Sequence, residues 1–207
     1  MLDAADWKRD CLHLVAKYGA DAAHAAHVAG LADQLLEATW CLNWLQPADR
    51  PSLLAAAYLH DLGRVVDAEY HHRHSRYLVT HDVQTAGWPP SMRADVGLVV
   101  LNHRKRNPRG LEALRRGEMK RIRALAAVLR LADVFDHAHD QRASLATLRA
   151  KAASPVVEFT LSGVDLQALE PHLIRKATWA AQVWRKELVF SAGGRSIRVN
   201  SESRDLS

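Results

Sequence analysis

The chain has 207 residues, which is long for one average domain and short for two, so we expect one domain with a small appendage. Apolar residues make up 48% and charged residues 25%, a balance that supports a packed core and excludes a disordered tail or a disulfide scaffold. No apolar segment approaches the ~18 residues of a membrane-spanning helix, so we expect no membrane span. Because only Cys11 and Cys41 occur and no apolar signal segment follows Met1, we expect a cytoplasmic location.

Positive charge is concentrated in one segment. The formal net charge is +5, whereas residues 100–130 alone carry ten Lys and Arg residues against two Glu residues. Such a segment is either a solvated basic face or a surface that attracts phosphate, a nucleotide or nucleic acid. Because no aromatic stacking motif accompanies the basic residues, nucleic acid is the least favoured of these partners.

Apolar residues recur with a helical period from residue 3 to residue 139 and predict a helical body. Asp21 suits an N-cap, Pro51 the first turn of a helix and Gly63 a helix end, while the polar run 69–73 predicts a loop. The predicted helices cover about Asp3–Lys17, a segment after Asp21, Pro51–Leu62, a segment from about His74, Ser91–His103 and Leu111–His139.

The pattern changes near residue 143. The segments Leu145–Ala150, Val156–Leu161 and Ser196–Val199 predict short strands of one antiparallel sheet, covered by a helix over Leu166–Glu187. We therefore expect a mainly α fold. A helical metal-binding domain would cover residues 1–142, and a small α+β extension over residues 143–207 would pack on it and take no part in the chemistry.

Histidine is unusually frequent, with 12 residues, six of which lie between residues 60 and 103. Beside carboxylates such a cluster indicates a metal site, because imidazole nitrogen and carboxylate oxygen suit divalent transition metals. The candidate ligands fall on or beside separate predicted helices and are His24, His60, Asp61, His74, His103 and Asp133. Local sequence leaves two choices open, namely His24 or His27, and His74 or His72.

Asp133 lies in an otherwise apolar helical stretch, where an unpaired carboxylate is costly. It is therefore either a metal ligand or the partner of an arginine in a buried salt bridge.

Five stretches of the sequence carry a family resemblance. They are His24-Ala-Ala-His-Val28, Leu54-Ala-Ala-Ala-Tyr-Leu-His-Asp-Leu-Gly-Arg64, Tyr70-His-His-Arg-His-Ser75, Asn102-His-Arg-Lys-Arg-Asn-Pro108 and Leu129-Arg-Leu-Ala-Asp-Val-Phe-Asp-His-Ala-His139. Together they resemble the HD superfamily of metal-dependent phosphohydrolases, and more closely the C-terminal HD domain of the exopolyphosphatase / guanosine pentaphosphate phosphohydrolase family. The resemblance covers about residues 20–140 and extends to the tail. We expect no counterpart here of that family's two N-terminal actin-like domains.

The resemblance implies a helical bundle that holds two metal ions. One ion would take His24, His60, Asp61 and Asp133, and the second would share Asp61 and take His74 and His103. Two cations ~3.5–4 Å apart can hold a bridging hydroxide and neutralise charge on a phosphoryl group. The histidine-rich ligand set favours Fe, Mn, Co, Ni or Zn over Mg. The family register favours His24 over His27, and Asp136 also matches the family's motif.

The expected function is hydrolysis of a phosphate ester or phosphoanhydride in a nucleotide or a polyphosphate-like substrate. We expect Asp61 to be catalytic, together with Arg64 and Arg104, whose guanidinium groups match phosphate geometry. Lys105 and Arg106 are further candidates for phosphate contacts. The alternative is a non-catalytic module that binds polyphosphate or an alarmone through residues 104–130. The sequence leaves a homo-oligomer open.

Overall fold

The computed structural model describes residues 4–42, 45–105 and 107–202. Within these ranges the chain forms a helical body followed by a small sheet with one further helix, which confirms the mainly α fold class. The helices are α1 (Ala4–Lys17), α2 (Ala22–Ala38), α3 (Arg50–Leu59), α4 (His71–His81), α5 (Pro90–Asn102), α6 (Arg116–Phe135) and α7 (Leu166–Trp184). The strands are β1 (Ser144–Arg149), β2 (Val156–Ser162), β3 (Glu187–Ala192) and β4 (Arg195–Val199). None of these helices combines the length and hydropathy that a bilayer crossing requires. The predicted start of the first helix at Asp3 lies outside the described residues.

The central helix of the body is α6, which packs against α2, α3, α5 and α7. Its second half, from Ala124 to Phe135, is buried throughout. Such a helix is surrounded by protein on every side, so a charged group on this half must find its partner inside the molecule.

A tight turn after α3 brings α4 close to the end of α3. The helix ends at Leu59, three residues before the predicted end, and a 3-10 turn follows over Leu62–Val65. A Cβ atom at Gly63 would lie 2.3 Å from the carbonyl oxygen of His71, so only glycine permits this approach. The backbone N–H of Gly63 donates to Ser75 Oγ at 2.7 Å and fixes α4 against the turn.

The fourth helix begins one turn earlier than the sequence predicts, at His71 instead of His74. The carboxylate of Asp67 accepts hydrogen bonds from the backbone N–H groups of Glu69 and Tyr70, at 2.6 and 2.9 Å. These bonds turn the chain locally, so the polar run after residue 69 enters a helix instead of a loop. His71 is therefore part of this helix and not of a loop that precedes it.

The C-terminal sheet has the strand order β1-β2-β3-β4, and its middle pair is parallel. The expectation of a wholly antiparallel sheet is therefore wrong for β2 and β3, because sequence analysis missed β3. That strand follows α7 directly, and a helix between two neighbouring strands returns the chain to run parallel. The pair β1–β2 is antiparallel, as expected, and the unpredicted strand β3 is antiparallel to β4.

The sheet shares its apolar core with the helical body. Val157, Phe159 and Leu161 alternate toward the interior and are buried, as their spacing predicts. The rings of Phe159 and Phe190 stack with centroids 4.6 Å apart, and Phe135 of α6 lies about 6 Å from both. The end of α6 is thus packed against the sheet.

Asp82, at the end of α4, connects that helix to α1. Its carboxylate accepts hydrogen bonds from Lys17 Nζ and Tyr18 Oη, both at 2.6 Å, and from the backbone N–H of Gln84. Burial alone would raise the pKa of Asp82, but the hydrogen bonds from Lys17 and Tyr18 lower it to about 2. Its stabilising effect is therefore complete above the ordinary carboxyl pKa and is lost as pH falls through 2.

We predict that Asp82→Asn lowers the free energy of unfolding at pH 7 by about 1–2 kcal/mol, because a charged acceptor of three hydrogen bonds is removed. The difference between variant and parent should shrink between pH 4 and pH 2, where the parent carboxylate becomes protonated. Urea denaturation across this pH range measures it. Asp6→Asn is the control and should have a much smaller effect, because the Asp6 side chain is 39% exposed and pairs with the more exposed Arg9. If the difference in free energy of unfolding between the parent and Asp82→Asn did not change with pH, the charge of Asp82 would not be what stabilises the fold.

Candidate metal centre

Two clusters of histidine and aspartate side chains meet at the centre of the helical body. In the first, Nε2 of His24 and Nε2 of His60 lie 3.9 and 3.8 Å from Oδ1 of Asp133. In the second, Nε2 of His71 lies 3.2 Å from Oδ1 of Asp61 and 3.1 Å from Nε2 of His103. The same Asp61 oxygen is 3.7 Å from Nε2 of His60, so it lies between the two clusters. Helices α2, α4 and α6 and the ends of α3 and α5 supply these side chains.

A common hydrogen-bond pattern orients three of the four histidine rings. Three of them place Nδ1 against the backbone carbonyl of the third residue before them, namely His60 against Ala57, His71 against Ala68 and His103 against Val100, at 2.6–2.8 Å. Because a carbonyl oxygen only accepts, Nδ1 must carry the proton in these rings, and Nε2 presents a lone pair to the centre.

His24 is oriented by a carboxylate instead. Its Nδ1 lies 2.8 Å from Oδ2 of Asp136, which is itself buried, in the arrangement that commonly supports metal-binding histidines. The Nε2 atoms of His24 and His60 are buried and make no hydrogen bond with the described residues. A buried polar atom without a partner is costly, so both atoms fit an electron-pair acceptor such as a metal ion.

Burial favours the neutral form of three of these rings. It lowers the pKa of His24 and of His71, and it lowers that of His103 well below the ordinary value. Neutral imidazole is the form that coordinates metal ions.

Lys176 of α7 contributes a cation to the first cluster. Its ammonium forms an ion pair with Oδ2 of Asp133, and the two residues are only 7% and 8% exposed. Burial alone would raise the pKa of Asp133, but the positive charge of Lys176, together with the hydrogen bond that it donates, holds that pKa well below the usual range. Asp133 thus has the buried salt bridge that sequence analysis considered, with a lysine as the partner.

This contact brings residues 143–207 to the edge of the first cluster, while the expectation that they take no part in the chemistry stays a prediction. Lys176 lies on the stripe of α7 that Leu169, Leu173 and Ala180 define, all of them buried. A lysine on an apolar stripe is the signal that could have indicated a buried partner for Asp133.

The structure brings only some of the histidines considered as ligands into the two clusters. His24 is in the first cluster and His27 is in neither, whereas His71 occupies the place expected for His74. His74 is half-buried and lies outside both clusters, and His72 is buried but also lies outside them. The reason is the earlier start of α4, which turns His71 toward Asp61. The ring of His139 stacks on that of His24 with the centroids 3.7 Å apart, and His139 also groups with His24 and Asp61 as possible metal ligands.

The arginines expected to contact phosphate differ in position. Arg64 is exposed, with Nη1 3.4 Å from Oδ2 of Asp61, at the edge of the centre. Arg104 donates from Nη1 to the carbonyl oxygens of Ala68 and Glu69, in the segment that precedes α4. Arg104 therefore fixes this segment, while the expected contact of Arg106 lies outside the described residues.

Arg130 of α6 supports the second cluster from behind. It is fully buried and donates to the carbonyl oxygens of Asn102 and Lys105, at 3.0 and 2.9 Å, on either side of His103. Its guanidinium also lies 4.9 Å from the ring centroid of Trp179 on α7. The position of His103 thus depends on α6 and α7 together.

We predict that Lys176→Met destabilises the metal-free protein by about 3–5 kcal/mol, because it leaves the Asp133 charge buried without a partner. The double variant Lys176→Met/Asp133→Asn should recover part of this loss, since no unpaired charge remains. Urea denaturation in chelator of the parent, of Lys176→Met, of Asp133→Asn and of the double variant gives the coupling energy between the two side chains. Additive effects of the two substitutions would show that the ion pair contributes no coupling.

A comparison with models of known families identifies one that covers most of the chain. The model of the family described as Ppx/GppA phosphatase, domain III, matches residues 8–176 of the chain. The matched range contains every residue of the two clusters and ends at Lys176.

Proposed function

The chain belongs to the family of Ppx/GppA phosphatase domain III, and from this membership we propose that it is a metal-dependent phosphohydrolase. Its substrate would be a phosphate ester or phosphoanhydride in a nucleotide or a polyphosphate-like molecule. The observation that supports this best is the pair of buried Nε2 atoms of His24 and His60, which have no hydrogen-bond partner among the described residues and face Asp133.

The residues that would hold metal ions fall into two sets that share Asp61. His24, His60 and Asp133 form the first set with Asp61, and His71 and His103 form the second with the same carboxylate. Mixed imidazole and carboxylate ligands favour Fe, Mn, Co, Ni or Zn. Divalent cations bound there would supply positive charge for a phosphoryl group and make a water molecule more acidic.

The protein's own residues would orient the ligands and the substrate. Asp136 holds His24 in the tautomer whose Nε2 can coordinate. Arg64 lies at the exposed edge beside Asp61, where its guanidinium could bind a substrate phosphate. Arg104 would act as a positioning residue, because it fixes the segment that carries Ala68, the partner of His71 Nδ1.

We predict that the protein takes up as many as two divalent transition-metal ions, and that chelation lowers its melting temperature. A ligand that binds only the folded state at 100 times its dissociation constant stabilises that state by about 2.7 kcal/mol. His71→Ala should lose the more weakly bound of the two metal ions, whereas His74→Ala should keep the metal content of the parent. Elemental analysis measures both. Equal losses in the two variants, or a parent that binds no metal, would contradict the proposed ligand sets.

We predict that Asp61→Asn abolishes hydrolysis of phosphoester and phosphoanhydride substrates, because it removes the charge at the point where both clusters meet. Arg64→Gln should instead raise KM more than it lowers kcat and should leave the metal content unchanged. Phosphate release from metal-loaded protein measures both effects. Hydrolysis by Asp61→Asn at the rate of the parent would contradict the catalytic proposal and favour the alternative of a non-catalytic binding module.

A further inference from the structure

The two oxygens of the Asp133 carboxylate face different partners. The Nζ atom of Lys176 donates to Oδ2 of Asp133. The other oxygen, Oδ1, lies 3.9 Å from Nε2 of His24 and 3.8 Å from Nε2 of His60. The carboxylate therefore presents one oxygen to the ammonium group and only one to the place where a metal ion would bind.

The lysine does not fill the place of that ion. The Nε2 atoms of His24 and His60 are buried and accept no hydrogen bond from the described residues, the Lys176 ammonium included. The ammonium thus neutralises Asp133 but leaves both imidazole nitrogens without a partner, which is costly for buried polar atoms. An ion held by these nitrogens would share the Asp133 carboxylate with the ammonium.

The packing of α7 fixes the lysine at the centre. Lys176 lies between Leu173 and Ala180 on one face of the helix, and both of these residues are fully buried. Its backbone carbonyl accepts a hydrogen bond from Nε of the buried Arg130, at 3.5 Å. Turning the ammonium toward solvent would break its ion pair and leave the Asp133 charge buried alone, so the cation stays at the centre.

Lys176 changes the charge that the centre offers to a cation. Burial lowers the pKa of Lys176, whereas the charges of Asp133 and of Asp61 raise it, so the ammonium lies in the field of both carboxylates. Its positive charge cancels half of the negative charge of these two side chains. Repulsion between the ammonium and a divalent cation is strong here, because the effective dielectric constant of a buried site is far below that of water.

We propose that Lys176 regulates metal occupancy of the first cluster, as a positioning residue that limits Asp133 to one donor oxygen and lowers the affinity for divalent cations. In the metal-free protein the same ammonium neutralises Asp133, so the fold tolerates loss of the ion. The first cluster would therefore load and release its ion as the metal supply changes, and Lys176 would set the concentration at which it does so. The inference rests on the metal binding proposed above and not on the hydrolysis.

The test measures Zn²⁺ affinity by competition with a chromophoric chelator, in the full chain carrying His71→Ala so that the second cluster lacks a ligand. Lys176→Met should bind Zn²⁺ about tenfold more tightly, because the repulsion is removed and Oδ2 becomes free to coordinate. Lys176→Gln keeps a hydrogen-bond donor without the charge and should also bind more tightly. Lys17→Met is the matched control, since it removes the ammonium from another buried carboxylate, Asp82, and should leave the affinity unchanged.

Melting temperatures in saturating Zn²⁺ and in chelator separate this role from a purely structural one. A lysine that only stabilised the fold would, when replaced, lower both melting temperatures equally, as Lys17→Met should. Lys176→Met should instead lower the melting temperature much more in chelator than in Zn²⁺, since the bound ion supplies the missing positive charge.

Equal lowering under both conditions by Lys176→Met would overturn the inference, and so would unchanged or weaker Zn²⁺ binding by both Lys176 variants. A parent that binds no Zn²⁺ would overturn it together with the proposed ligand sets. Zn²⁺ binding that follows these expectations without any phosphate release would support the inference and contradict the proposed hydrolysis.

Discussion

The buried carboxylate of Asp133 is the charge on which the arrangement of the site depends. It lies in the half of α6 that is buried throughout, where an uncompensated charge would cost several kcal/mol. Lys176 from α7 neutralises one of its oxygens, and the other faces His24 from α2 and His60 from the end of α3. The ion pair between Lys176 and Asp133 therefore holds α7 against the helical body, in addition to the apolar core that they share.

Backbone carbonyl groups at helix ends and turns fix the orientation of three of the histidine rings. The last carbonyls of a helix lack partners within the helix, so a histidine three residues further along can donate Nδ1–H to one of them. His60 and His103 use this arrangement at the ends of α3 and α5, and His71 uses it at the start of α4. Each ring therefore has a defined tautomer before any ion binds, and less ordering remains for binding to accomplish.

The two halves of helix α6 lie in different environments. Its first half is partly exposed and carries Arg116, Lys120 and Arg123, whereas its second half is buried and carries Arg130 and Asp133. The same helix therefore fixes the distance between a basic surface and the two clusters of histidine and aspartate side chains. Trp179 of α7 contacts Arg123 and Arg130, so α7 braces both regions at once.

Local sequence was sufficient wherever the interaction that shapes the chain is itself local. Asp21 caps α2 through the backbone N–H of His24, and Pro51 occupies the first turn of α3, as predicted from residue type and spacing. The periodicity of Val157, Phe159 and Leu161 identified the inner face of β2 in the same way. The sequence by itself also indicated the His- and Asp-rich site, since that combination beside helix ends is rare by chance.

Tertiary structure decided which members of that set meet. The sequence favoured His74, but the turn at Asp67 and the close approach at Gly63 start α4 earlier and bring His71 to Asp61. Lys176 and Asp133 are 43 residues apart in the sequence, so local patterns do not reveal their contact. The parallel pairing of β2 with β3 depends in the same way on the path of α7, which connects the two strands. The physical reason is that a period of 3.6 residues fixes which face a side chain shares, whereas contacts between distant segments depend on how buried charges and apolar faces are satisfied together.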